Sequence, residues 1–223
     1  MGIRKRAVRG CTALVSSVVI ALPMVAAVAP AKAADAAAQP GGQVVISEIA
    51  NGGPGGYHDN FIEVANWGDQ PVDVTGWELF RCTGTGSVAS APQSTLEGTI
   101  GAGERWVFAR ESDQSTISDA DVKQRYKTSL ANESYGALLR DSSGEDVDAV
   151  AVQFPGTANQ ACGEGTVLAN TTDSAAGESF QRTQDTDDNA ADFIRAPRTP
   201  GEENATEPSA APKRGDVLIS EVA

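Results

Sequence analysis

The sequence predicts an all-β fold, a two-sheet sandwich with one short helix, behind an N-terminal export signal. Three observations predict it. Short apolar runs alternate with clusters of Gly, Pro, Asn and Asp from Val44 to about Gly201, the pattern of strands broken by turns. Several runs have period-two patterning: Val72 and Val74 oppose Asp73 and Thr75, Ile62 and Val64 oppose Glu63, and Trp77 and Leu79 oppose Glu78, as in strands with one face on a core. About seven such strands in a domain-sized stretch suit two packed sheets.

The expected strands are Val44–Ile49, Phe61–Ala65, Val72–Phe80, Arg105–Ala109, Ala137–Arg140, Val147–Val152 and Ser179–Arg182. Glu63-Val64-Ala65-Asn66 ends one strand, a turn of Asn, Gly and Asp follows, and Pro71 leads into the next. Gly76 reads as a bulge or tight bend that lets Trp77 pack inward. Arg140 to Glu145 reads as a hairpin connection. Ser118 to Lys127 breaks the pattern; its Ser or Asp cap candidates and helix-tolerant residues predict the helix. Ser87–Leu96 and Thr157–Ala176 read as surface loops. Trp67, Trp77 and Trp106 read as core or rim packing residues.

The termini carry their own signals. Residues 1–33 have basic Arg4, Lys5, Arg6 and Arg9, an apolar run from Thr12 to Val28, and Ala31-Lys32-Ala33 before Ala34. That is a secretory signal peptide with an A-x-A cleavage pattern. An uncleaved anchor is the rival, and Ser16, Ser17 and Pro23 inside the run weigh against it. Residues 34–42 form a low-complexity leader, 43–204 the sandwich and 205–215 a linker rich in Pro, Ala, Glu and Lys. Val217–Ala223, VLISEVA, repeats Val44–Ala50, VVISEIA, so 216–223 read as the first strand of a truncated second copy. That strand is expected to stay unpaired or to borrow an edge of the first sandwich.

Residues 1–33 hold five of the 17 Lys and Arg and none of the 30 Asp and Glu, so the remainder has a net charge of −18 (12 − 30). Such a surface repels nucleic-acid phosphates and anionic membranes. Cys82 and Cys162 are left as an even pair in an oxidising setting, expected as a disulfide, with two free thiols as the alternative.

The combination NFIEVANWGDQPVDVTGWELF (Asn60–Phe80), GERWVFAR (Gly103–Arg110), SLANESYGALLRDSSGEDVDAV (Ser129–Val150), ESFQRTQDTDDNAADF (Glu178–Phe193) and RTPGEEN (Arg198–Asn204) resembles the lamin tail domain family. The resemblance spans Val44 to Asn204. It implies an immunoglobulin-like sandwich. It also implies a bacterial secreted or surface module, often in tandem or joined to nuclease, phosphatase or other hydrolase domains. Eukaryotic members bind protein and DNA; the acidity of this chain argues against the DNA role. The family supplies no catalytic residues.

The chemistry-bearing residues are few. His58, the only histidine, sits in a Gly-rich loop with no nucleophile motif around it. Asp141, Glu145, Asp146 and Asp148 are an acidic cluster confined to one hairpin. Asp185, Asp187 and Asn189, with Asp192, have the D-x-D-x-N spacing of oxygen ligands for calcium, but Ala190 stands where a calcium loop wants Gly. The same residues also suit turn caps before a strand at Phe193. The expected function is therefore a secreted, non-catalytic module for protein–protein or cell-surface association, with no cofactor beyond a weak calcium candidate and no membrane span after cleavage. The alternatives are the targeting domain of a larger secreted hydrolase and a calcium-stabilised adhesion module.

Overall fold

Strand β1 (Val44–Ala50) is buried along its whole length and lies at the centre of the larger sheet. The computed structural model describes residues 43–156, 162–170 and 177–209. The expected signal peptide and leader, the end of the expected linker, the repeated VLISEVA motif and parts of the expected 157–176 loop lie outside them. The other strands are β2 (Phe61–Asn66), β3 (Val72–Asp73), β4 (Glu78–Cys82), β5 (Ser94–Thr95), β6 (Thr99–Ile100), β7 (Arg105–Arg110), β8 (Val122–Tyr126), β9 (Tyr135–Arg140), β10 (Asp146–Gln153), β11 (Leu168–Ala169), β12 (Glu178–Arg182) and β13 (Phe193–Pro197). One α-helical turn, α1 (Asn189–Asp192), precedes β13. Six strands form one sheet in the order β13-β12-β1-β2-β7-β8; five form the second, β11-β10-β9-β4-β5; β3 and β6 pair separately. The expected two-sheet, nearly all-β architecture is present.

Alternation explains the layers. On β9, Tyr135, Ala137 and Leu139 face the central core and Leu138 faces outward; on β4, Leu79 faces the core and Phe80 and Cys82 outward. The central core joins Ile46, Ile49, Ile62, Val64, Trp106 and Phe108 of the six-stranded sheet to Leu79, Leu139, Val150 and Val152 of the other. The outer faces bear smaller clusters. Ile117 covers Ala50, Phe61, Val107 and Ala109. Cys162, disulfide-bonded to Cys82 across a Cα–Cα distance of 6.1 Å, covers Phe80, Leu138 and Ala149.

The disulfide leaves no room beside it. A Cβ on Gly136 would press on the Val150 carbonyl and lie 3.0 Å from the Cys82 Sγ. Neither backbone nor disulfide is a flexible side-chain end that can swing away. Gly136→Ala is expected to cost about 1–3 kcal/mol, the usual cost of overpacking, read as a lowered urea midpoint. An unchanged midpoint would show that strands β9 and β10 separate freely.

Four expectations are corrected. Ser118–Lys127 is not a helix: Ser118 and Asp119 make a turn, and Val122–Tyr126 pairs parallel with β7. Helix propensity is a weak prior, and here the burial of Tyr126 and the pairing with β7 outweigh it. Val72–Phe80 is not one strand, because Asp73 Oδ1 accepts from the Thr75 amide (3.0 Å) and hydroxyl (2.6 Å) and Gly76 has φ 82°. Ser87–Leu96 is not all surface loop, since it holds β5 and buried Leu96. The linker does not begin at 205, because the Ala205 amide donates to Gln181 Oε1 (2.6 Å) and the Ser209 amide to the Arg195 carbonyl (2.7 Å). Among the described residues no helix is long and apolar enough to cross a membrane.

Candidate functional site

Two buried polar clusters are built by β1, one between the sheets and one on the outer face of the larger sheet. The register of β1 slips between Ile46 and Glu48 against β2, and β12 pairs it only at Glu48 and Ile49. The Ile46 backbone therefore needs partners from elsewhere. Asp148 Oδ2 accepts from the Ile46 amide, and Arg182 Nε donates to the Ile46 carbonyl (3.1 Å).

Arg182 is fully buried and holds four carboxylates. Its Nη2 is 2.5 Å from Asp148 Oδ1 and 3.6 Å from Glu164 Oε2; its Nη1 is 2.7 Å from Asp185 Oδ1 and 3.4 Å from Asp192 Oδ2. The guanidinium also lies 4.6 Å from the Phe193 ring centre. Arg182 comes from one sheet and Asp148 from the other, so their pair ties the layers together. Burial pushes Asp148 well above the ordinary carboxylate range against the pull of Arg182, and burial likewise raises Glu164.

This arrangement divides the calcium candidates. Asp185 and Asp192 turn to Arg182. Asn189 turns inward: its Oδ1 accepts from the Ala151 (3.0 Å) and Glu164 (3.2 Å) amides, and its Nδ2 donates to the Ala149 carbonyl (2.9 Å). Asp187 is exposed at φ 57°, and Asp188 caps α1 through the Ala190 and Ala191 amides. Asp148, Glu164 and Asp185 do bring carboxylate oxygens within 4.8 Å of one another. A guanidinium serves as their counter-ion, directional and permanently charged.

The other acidic hairpin residues also separate. Asp141 accepts from the Ser143 and Glu145 amides (2.8 and 3.0 Å), and Asp146 pairs with Arg140 (2.7 Å). Only Asp148 turns inward. His58 Nδ1 lies 2.9 Å from Arg110 Nη1 and 2.8 Å from Ser112 Oγ. Among the described residues no carboxylate is hydrogen-bonded to His58, so nothing there orients it as a base. Cys82 and Cys162 pair as expected.

The second cluster escaped the sequence reading, which put Glu63 on a polar face. Glu48 and Glu63 are opposite one another on β1 and β2, and both are fully buried. Glu48 Oε1 accepts from Ser179 Oγ (2.5 Å) and the Thr199 amide (3.0 Å). Glu63 accepts from Ser47 Oγ (2.6 Å) and the Gly201 amide (2.8 Å), with Arg105 Nε at 3.6 Å. Residues 199–205 thus run across the outer face of the sheet and seal both carboxylates. The repeat carried a signal: VLISEVA keeps Ser and Glu at the positions of Ser47 and Glu48.

Burial, and then the nearby Glu48 charge, raise Glu63 from 4.5 to about 7. The folded state therefore holds a proton that the unfolded chain releases above pH 4.5. Its stabilisation is complete below pH 4.5 and is lost as pH rises through about 7. The gap corresponds to about 3 kcal/mol, and the raised Asp148 and Glu164 act in the same direction. The urea midpoint is expected to be higher at pH 5 than at pH 8, and Glu63→Gln to flatten that slope. A midpoint that rises with pH across this window would contradict the assignment.

A search of curated proteins finds no match to the chain. The model of the Lamin Tail Domain matches residues 37–153, over half of the chain, and the match ends where β10 ends. β12 and β13 lie beyond it and complete the six-stranded sheet beside β1. On that match and this sandwich, the chain belongs to the lamin tail domain family.

Proposed function

We propose that the protein is a secreted, non-catalytic sandwich that attaches to a protein or cell-surface partner, and that the repeat at Val217–Ala223 opens a second such unit. One observation carries the reading: the carboxylates that could have done chemistry hold the fold together. Asp148, Asp192, Glu48 and Glu63 are buried and hydrogen-bonded to β1, β12 and the 199–205 segment. Interaction modules of this kind gain from tandem copies, because the second contact forms at high effective concentration. The N-terminal pattern and the Cys82–Cys162 disulfide support maturation in an oxidising compartment.

The test expresses the full chain in an exporting bacterial host. The product is expected in the medium with Ala34 at its N-terminus. Labelled, it is expected to bind whole cells saturably while leaving phosphodiester and ester substrates unchanged. Turnover that co-purifies with the chain would overturn the non-catalytic reading, and retention in the cytoplasm would overturn the secreted one.

A further inference from the structure

The two edges of the six-stranded sheet differ. At β13 the Ser209 amide already donates to the Arg195 carbonyl (2.7 Å), and the strand ends at Pro197, which has no amide hydrogen to offer. At β8, among the described residues, no strand lies on the side away from β7. Its inner side is occupied by β7, and its last carbonyl, on Tyr126, accepts from the Glu111 amide. Among the described residues no strand pairs with the outer row of backbone donors and acceptors, which is a template for another strand.

Charge narrows what that strand can be. Lys123, Arg125 and Lys127 cluster here in a strongly acidic protein. Arg125 is committed to Asp119 (2.6 Å) and to the Ile117 carbonyl (2.8 Å). Lys123 and Lys127 are exposed, and the Lys123 Nζ rests 3.8 Å from the Trp106 ring centre. Edge lysines guard against self-pairing: β8 against a second β8 would bring lysines of both copies together. A strand bearing carboxylates meets the opposite field, and the acidic remainder of the surface repels it from elsewhere.

The seam beside β8 offers an anchor. A cavity of about 310 Å³ separates β8 from the residues after β5, with Trp106 and Phe108 on its floor, Leu96 and Glu97 on one wall and Lys123 on the other. The edge strands of the two sheets meet here, tied by the Gln93 amide group donating to the Thr128 carbonyl. Each carries a buried hydroxyl with no hydrogen-bond partner among the described residues, Ser94 on β5 and Tyr126 on β8. We propose that β8 is a strand-addition site for an extended acidic peptide of a partner protein, which pairs with the β8 backbone, sets carboxylates against Lys123 and Lys127, and seats an apolar side chain in the cavity beside Trp106. Main-chain pairing then supplies affinity, and the alternate side chains supply selection. This names the partner chemistry of the association reading above and rests on it.

The probe is a blocked heptapeptide of alternating Glu and Val, titrated into the full-length mature chain and followed by amide shifts and tryptophan fluorescence. The expected result is perturbation confined to β8 and Trp106, weakening as salt rises. Lys123→Glu with Lys127→Glu is expected to weaken binding at least tenfold, as is N-methylation of alternate peptide amides. A Lys–Val peptide is expected not to bind. Equal binding by the N-methylated peptide, shifts mapping to another face, no binding at millimolar peptide, or self-association through β8 in sedimentation would each overturn the proposal. Cell binding by the charge-reversed variant is measured in parallel. Should the peptide fail while the chain still binds cells, the β8 inference falls and the association reading stands.

Discussion

Arg182→Met is expected to destabilise the folded chain by about 3–5 kcal/mol at pH 7.5, the cost of stranding buried charge by removing one partner of an ion pair. The substitution keeps most of the apolar bulk against Phe193 and removes the positive charge and the donors. Asp148 and Asp192 are then left buried, 4% and 0% exposed, with Glu164 and Asp185 crowding them. The Ile46 carbonyl also loses its Arg182 Nε donor. Burial already raises Asp148 and Glu164, and the substitution removes the Arg182 charge that opposes their protonation, so the loss at pH 5 is expected to be smaller than at pH 7.5. Arg182→Lys keeps the charge but cannot reach Asp148, Asp185 and the Ile46 carbonyl together, so an intermediate loss is expected. Adding Asp148→Leu to Arg182→Met is expected to recover part of the loss, which separates the cost of stranded charge from that of lost packing. Denaturant midpoints read all of these; an Arg182→Met midpoint equal to the parent's would mean that the cluster exerts no hold on the fold.

How much of this was legible in the sequence depends on the physics of each element. The strands around Ile49, Ile62, Leu79, Phe108 and Leu139 announce themselves because one face meets a core, and alternation records that. β8 did not, because an exposed edge strand bears Lys, Gln and Arg wherever solvent permits, and such residues read equally well as helix. The expected helix at Ser118–Lys127 is absent, and an α-helical turn forms instead at Asn189–Asp192, where Asp188 supplies the cap; spacing alone cannot tell a cap from a ligand loop. The polar interior was hardest to foresee. Glu63 alternates with Ile62 and Val64 like any surface carboxylate, and the 199–205 segment that buries it lies more than a hundred residues away in the chain. The cysteine pair was legible because only two cysteines follow residue 33.

That pair sets the other large effect. Replacing both cysteines by Ala is expected to cost about 4–5 kcal/mol in the loop-entropy model, given a sequence separation of 80 residues. The paired substitution avoids leaving a buried free thiol. Most of the loss is expected to come from the unfolded chain, whose ends are no longer joined, so folding slows more than unfolding quickens. A native-state share arises because Cys162 holds one end of the 162–170 segment. That segment is also fastened by the Glu164 carbonyl, which accepts from the Asn189 amide (3.0 Å), and by β11, which pairs with β10. These bonds survive the substitution, so the domain is expected to stay folded, with faster hydrogen exchange at Leu168 and Asn170. Glu164 belongs to the Arg182 cluster as well. Combining the cysteine replacement with Arg182→Met is therefore expected to cost less than the sum of the two, since both loosen the same segment. Strict additivity would place the disulfide's whole effect in the unfolded chain. An unchanged midpoint after the cysteine replacement alone would show that the crosslink restrains neither state.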